Sequence, residues 1–437
     1  MVYDTDTAGG AVHGYRLSTV VPGSVTHENA VHELAGADLA MKLHYLRTVY
    51  YFAASETVEG LTTKLLKDPT FPLLDIYYPV AGRIRRDDGG RPYIKCNDGG
   101  VRIVEASCDS TFREWLESTP AINRHSRLVS DGVVGPDLHF SPTVFLQFTR
   151  FKCGGMSVGF SWAHLLGDAV SATEFLNLWG QLLTGKELHK SYELRGIQNQ
   201  SEKIAKAIPD SALPLSVKQV KQVGDLWLNP NSQRMSTLFI EVPAAKLKEL
   251  KSNMPTSISI FEILSAILWK SIAELRADKE PKTVTICRNS SIERSGIILS
   301  NEETLNTLLI NSSPAKAKLL ELASLINEKA VNEMKTVEHL VKREGEKLDI
   351  VVYGANLTFI DAERVDFYDM EIKGEKPVHV ECSIDGVGDE GAIMVLRGPS
   401  GIKFEGNGIN GRLLSIILPE NEISQLRDLL ANEWGIA

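Results

Sequence analysis

At 437 residues the chain exceeds what one hydrophobic core usually organises, so two domains are expected, each large enough to fold without staples. Apolar residues make up 43% and charged residues 24%, a globular balance that excludes the disordered and fibrous classes. A net charge of −9, with no Lys/Arg stripe interleaved with aromatics, excludes a nucleic-acid partner.

Cys96, Cys108, Cys153, Cys287 and Cys382 are odd in number, scattered and free of CxxC spacing. Neither a disulfide framework nor a zinc site is expected, no other metal-ligand spacing occurs, and a reducing compartment fits best. The N-terminal MVYDTDTAGGAVHGYRL has no basic or apolar region of the secretory kind.

Along the chain, DLAMKLHYLRTVYYF reads as helix-like, with YLRTVYYF as helix core rather than a docking face. The segment YYPVAGRIRRDDGGRPYIKCNDGGVRIVEA follows, and its Asp-Gly turns between strand-like runs predict hairpins in a mixed sheet. PTVFLQFTRFKCGGMSVGFSW predicts two adjacent strands separated by Cys153-Gly154-Gly155. Val170, Glu174, Phe175, Leu178, Trp179 and Leu182 have helical spacing, and Asp168 stands where the helix N-cap belongs. His164 therefore falls in a short turn between strand and helix.

Residues 185–224 shift to Lys, Gln, Ser and Glu, the composition of a crossover linker, which divides the chain into domains at 1–184 and 225–437. Ser259 and Glu262 match a capping box ahead of a helix to about Arg276. That helix, the most apolar of the chain, is interrupted by Glu262 and Lys270, so no membrane span of ~20 apolar residues is expected. A second long helix is predicted from about Ala317 to Arg343, then strands in IVVYGANLTF, AIMVLRG and LLSIILP.

A histidine in such a turn suits general-base chemistry, because its unperturbed pKa lies near neutrality. Its spacing to Asp168 arises easily by chance. Three readings of His164 stand open: catalytic base, structural residue of the turn, or neutral leftover. For Asp168 the structural reading is an N-cap worth ~1 kcal/mol.

YYPVAGRIR, IKCNDGGVRIVEA, FKCGGMSVGFSWAHLLGD and SISIFEILSAILWKSIAELR together resemble ordered segments of the plant BAHD acyl-CoA-dependent acyltransferase superfamily. The resemblance covers nearly the whole chain. It implies an α/β fold of two similar chloramphenicol-acetyltransferase-like domains, each a mixed sheet with flanking helices. It also implies that His164, in a channel between the domains, deprotonates an acceptor that attacks an acyl-CoA thioester. Asp168 would point away and orient the turn, usually by pairing with an arginine, for which Arg288 in TVTICRNSS is the counterpart considered. No tightly bound cofactor is implied, and acyl-CoA or CoA is the expected ligand.

Departures accompany the matches. The family's DFGWG followed by Lys-Pro aligns with EIKGEKP, where only Lys376-Pro377 survives. Ala169 replaces the glycine after the HxxxD aspartate, and no Tyr-Phe-Gly-Asn stretch is recognisable between Ile297 and Pro314. HxxxD kept with DFGWG lost resembles the eceriferum/glossy-type proteins of plant cuticular wax synthesis, as do RLSTVVPGSV, DLAMKLHYLRTVYYF, GPDLHFSP and YGANLTF.

That resemblance implies an accessory protein of very-long-chain fatty acyl-CoA elongation beyond about C28, acting beside a 3-ketoacyl-CoA synthase. Its place would be peripheral, on the cytosolic side of the endoplasmic reticulum, with a cytoplasmic location as the alternative. Each elongation cycle adds two methylenes, worth ~1.6 kcal/mol of apolar burial or roughly fifteenfold in binding, so a small added apolar surface could shift a length limit. The alternatives are an active O- or N-acyltransferase with His164 as base, and a folded relic that binds acyl-CoA without acting on it.

Overall fold

The computed structural model describes residues 12–118, 121–186, 213–289, 297, 299–328, 331–398 and 410–436. Two six-stranded mixed sheets organise them. In spatial order the first sheet holds Val12–Val20, Val101–Cys108, Val144–Phe151, Met156–Ala163, Tyr45–Phe52 and His379–Asp385. The second holds Met235–Val242, Arg412–Pro419, Ala392–Arg397, Leu357–Ala362, Thr283–Asn289 and Glu303–Leu309. Each sheet has its own apolar core, and that of the first continues into the C-terminal half through Cys287, Leu305, Tyr353, Ile360 and Ile372. Of the linker-like stretch 185–224, residues 187–212 lie outside the described residues, while Lys218–Gln219 pairs with Ile350–Val351.

The predicted strand pair around Cys153-Gly154-Gly155 forms as Val144–Phe151 and Met156–Ala163, antiparallel. YLRTVYYF, read as helix, is instead the strand Tyr45–Phe52, every residue of it buried, preceded by the short helix Gly36–Ala40. Its β-branched and aromatic side chains fill both faces of a strand that has a neighbour on each side. With both faces apolar, the period-two signal vanishes.

In the second half, the capping box holds: Ser259 accepts from the Glu262 amide while the Glu262 carboxylate accepts from the Ser259 amide at 2.6 Å. The helix it starts, Ile260–Leu275, lays its apolar residues on the second core. The single helix expected from 317 to 343 is two helices, Leu319–Asn327 and Met334–Glu344. Between them the Asn332 side chain accepts from the Leu305 and Met334 amides, both at 3.0 Å, and Glu333 donates its amide to the Leu305 carbonyl at 2.8 Å. Those bonds tie the interruption to the Glu303–Leu309 strand.

His379–Asp385, from the C-terminal half, completes the first sheet by pairing with Tyr45–Phe52. The strand ends at Gly386, whose φ of +81° and approach to the Leu43 carbonyl, 1.9 Å from where a Cβ would sit, exclude a side chain. At its other end the His379 imidazole bridges Glu241 at 3.2 Å, on the edge strand of the second sheet, and Glu381 at 3.4 Å. Burial would lower the His379 pKa, but the two carboxylates outweigh it and hold it at about 9.

A histidine pKa raised above its unfolded value stabilises the fold fully below about pH 6.5, and the contribution is lost as pH rises through about 9. Urea denaturation of the wild type should therefore show stability falling across that window, with a flatter profile for His379→Gln. Parallel profiles would remove the imidazolium bridge from the account.

Candidate functional site

The Met156–Ala163 strand runs straight into a 3-10 turn, His164–Leu166, then Gly167, and Asp168 opens the helix Ala169–Leu183. Asp168 is fully buried, and its Oδ1 accepts from the amides of Val170 and Ser171, both at 3.1 Å. Its other oxygen accepts from the Glu302 amide at 3.1 Å, across the seam between the two halves. The N-cap expected from the sequence is thus also a tie between sheets.

Neighbouring groups stitch the same seam. The His164 amide donates to the His44 carbonyl at 3.0 Å, and the His164 carbonyl accepts from Asn301 Nδ2 at 2.9 Å. Asn301 also gives its amide and its side-chain N–H to Asp38 Oδ1, both at 3.0 Å. Burial raises the Asp38 pKa to about 7 against the hydrogen bonds from Asn301 and Ala35, so this carboxyl ionises near neutrality.

The His164 side chain is 1% exposed. Its Nε2 lies 3.1 Å from the Tyr353 hydroxyl, which also hydrogen-bonds Glu303 Oε2, and both partners are buried. Tyr353 is held from beneath by His44, whose Nε2 accepts from the Val352 amide at 3.1 Å and the Tyr353 amide at 3.4 Å, with the two rings 4.8 Å apart. Burial, and then the proximity of His164, lower the His44 pKa to about 3, so His44 is neutral at ordinary pH. Burial raises the Glu303 carboxyl, which His164 opposes and Asp168 reinforces, and it carries Tyr353 well above the ordinary phenol range. Cys287, beside them, is raised by burial and then by Glu303.

Arg288 does not join this cluster. It pairs with Glu262 at 2.9 Å and Asp361 at 3.7 Å and lies over the Phe261 ring. Side chains alternate along the Thr283–Asn289 strand: Cys287 faces Glu303 and Tyr353, which turns Arg288 the other way. The proposed pairing of Arg288 with Asp168 is therefore corrected. EIKGEKP keeps a compact shape: Ile372 and Glu375 exchange backbone hydrogen bonds at 2.9 and 3.0 Å around Lys373 and Gly374, both at positive φ, a type I′ geometry. Ile372 is fully buried, and the Glu371 carbonyl would sit 2.4 Å from any Cβ at Gly180 of the helix after Asp168.

Asp38, His44, Asn301, Glu303 and Tyr353 were not singled out from sequence. Tyr353 falls inside an expected strand run, although the glycine after it, between two apolar stretches, is a local sign of a turn.

Two mixed sheets meeting at a buried HxxxD turn define the class, a protein of acyltransferase fold. Vinorine synthase has this fold: its crystal structure superposes with a TM-score of 0.69, at 15% identity, over 94% of this chain and 96% of that one. Fusarium graminearum TRI101, in complex with ethyl coenzyme A, does so with a TM-score of 0.63, at 14% identity, over 91% and 97%. The Transferase family model matches residues 12–428, and the chain belongs to that family, the BAHD transferases. Protein ECERIFERUM 26-like of Arabidopsis thaliana is 38% identical over 97% of this chain and 96% of its own length.

Asp168→Ala loses the cap and orphans the Glu302 amide, an expected cost of about 2–4 kcal/mol. Asp168→Asn keeps a capping oxygen, so chemical denaturation should show a smaller loss. An asparagine protein as unstable as the alanine one would contradict the capping role.

Proposed function

We propose that this protein is a BAHD-fold accessory factor of very-long-chain fatty acyl-CoA elongation for cuticular wax, acting with a 3-ketoacyl-CoA synthase. The observation that carries the reading is the state of His164: it is buried, and its Nε2 is engaged by Tyr353. A general base must reach the proton it abstracts, and this one is already occupied. Similarity to an ECERIFERUM protein along nearly the whole length supports the wax context. The replacement of DFGWG by a plain turn fits a chain that does not carry out ordinary acyl transfer.

The ligand chemistry proposed is that of a long acyl-CoA, in keeping with the coenzyme A complex of a structural neighbour. No helix among the described residues is long and apolar enough to cross a membrane, so attachment to the endoplasmic reticulum would be peripheral and through the condensing enzyme. A gain of one elongation cycle needs only ~1.6 kcal/mol of added apolar contact, which is within reach of a partner surface near the limit of about C28.

The test is co-expression of wild type or His164→Ala with a wax-type condensing enzyme in a host lacking very long chains, with acyl lengths read by mass spectrometry at matched protein amounts. Both proteins should extend the products by at least one cycle. Extension by wild type alone would favour an acyltransferase with His164 as its base.

A further inference from the structure

His164, Tyr353 and Glu303 form a line of three buried polar groups: imidazole Nε2, phenol oxygen, carboxylate. They come from the turn after Met156–Ala163, the gap between Ile350–Val351 and Leu357–Ala362, and the first residue of Glu303–Leu309. The phenol is firmly placed. His44 holds the Val352 and Tyr353 amides, and Gly354, at φ +81°, lies so close to the Gly388 backbone that a Cβ would come within 2.5 Å of it.

His164 Nδ1 is buried and has no hydrogen-bond partner among the described residues. A proton there would be an unsatisfied buried donor costing about 1–3 kcal/mol, so the imidazole proton belongs on Nε2. Nε2–H then donates to the phenol oxygen, and the phenol donates to Glu303. Were Glu303 to hold the proton instead, the phenol would donate to Nε2 and the imidazole proton would move to Nδ1, at the cost of that unsatisfied donor. In either arrangement the Nε2 lone pair is unavailable to a fourth group.

We infer that Tyr353, oriented by Glu303 and His44, is a built-in occupant of the acceptor position that keeps His164 from acting as a base. The inference rests on the reading that the chain extends acyl chains without transferring them, and it names the residues responsible. Removing the phenol should restore the missing step. A water in its place loses a proton to Nε2 as its oxygen attacks the thioester carbonyl. The C–S bond breaks, the proton passes to the thiolate, and a fatty acid and free CoA leave.

A positioned base supplies ~10²–10⁴ in rate. The unsatisfied Nδ1 proton that such a base requires takes back part of that, about 1–3 kcal/mol or roughly 5–160-fold. The experiment uses the full-length protein with stearoyl-CoA as probe and thiol release as readout, comparing wild type, Tyr353→Ala and Tyr353→Ala/His164→Ala, each with its thermal melt. In parallel, carbethoxylation of His164 by diethylpyrocarbonate is mapped by mass spectrometry.

Tyr353→Ala should release thiol faster than wild type, by roughly 30-fold at the midpoint of those two ranges, the gain should vanish in the double variant, and His164 should become reactive where it was protected. A folded Tyr353→Ala protein that cleaves no faster than the double variant overturns the assignment. If the alanine protein melts early, Tyr353→Phe keeps the ring. The ring-nitrogen shifts of His164 in labelled protein must then change at Nε2, and unchanged shifts overturn the assignment equally. Chain extension with the condensing enzyme tests the underlying reading separately, because it does not depend on thiol release.

Discussion

The rest of the molecule depends on a polar seam that must be satisfied from both sides. Asp38 and Asp168 are carboxylates with no exposure to water, and each faces a segment from the opposite half. Buried charge is tolerable only where hydrogen bonds replace hydration. The 300–302 segment supplies that replacement, giving amides to both aspartates and a side-chain N–H to the His164 carbonyl. Pulling the halves apart would leave several acceptors bare at once, so the turn carrying His164 is fixed by the seam as much as by its own strand and helix.

A second device works at the far edge of the first sheet. His379–Asp385 leaves the C-terminal half to pair with Tyr45–Phe52, and its Asp385 receives Arg47 Nε at 2.7 Å while the same guanidinium reaches the Gly132 carbonyl at 3.1 Å. Arg47 is itself buried and stacked beside Tyr45. The halves are therefore interlocked by a strand as well as by the seam. A strand borrowed across a boundary makes the two cores cooperative, because the first sheet is not complete within its own stretch of sequence.

How much of this was legible in the sequence follows from the range of each interaction. Asp168 and Ser259 cap helices through contacts within three residues, and the strand–turn–strand around Cys153 is equally local, so all three could be read directly. Tyr45–Phe52 could be read as buried but not as a strand, because a segment apolar on both faces has no period to report. The interruption near Asn332 depends on a strand nearly thirty residues earlier, and the turn of Arg288 away from Asp168 depends on which face of a strand meets the seam. Tyr353 reaches His164 across 189 residues from the opposite half, Glu303 meets Tyr353 across 50, and no local pattern encodes that meeting.

The HxxxD turn thus carries two separable demands. Its shape is secured by main-chain groups and by the Asp168 carboxylate: the His164 amide and carbonyl keep their partners whatever side chain stands there. The imidazole's own hydrogen bond is to Tyr353. Histidine at this position accordingly has a use other than removing a proton from a substrate. The phenol sits between two groups and has one proton to give, so with Glu303 accepting that proton, the phenol oxygen needs a donor, and Nε2–H provides it. Replace the imidazole with an apolar side chain and a buried oxygen loses its donor beside a carboxyl that burial already disfavours as a charge. The motif can stand intact, then, for reasons of packing and proton count alone, and its presence is a poor measure of whether the chain still performs acyl transfer.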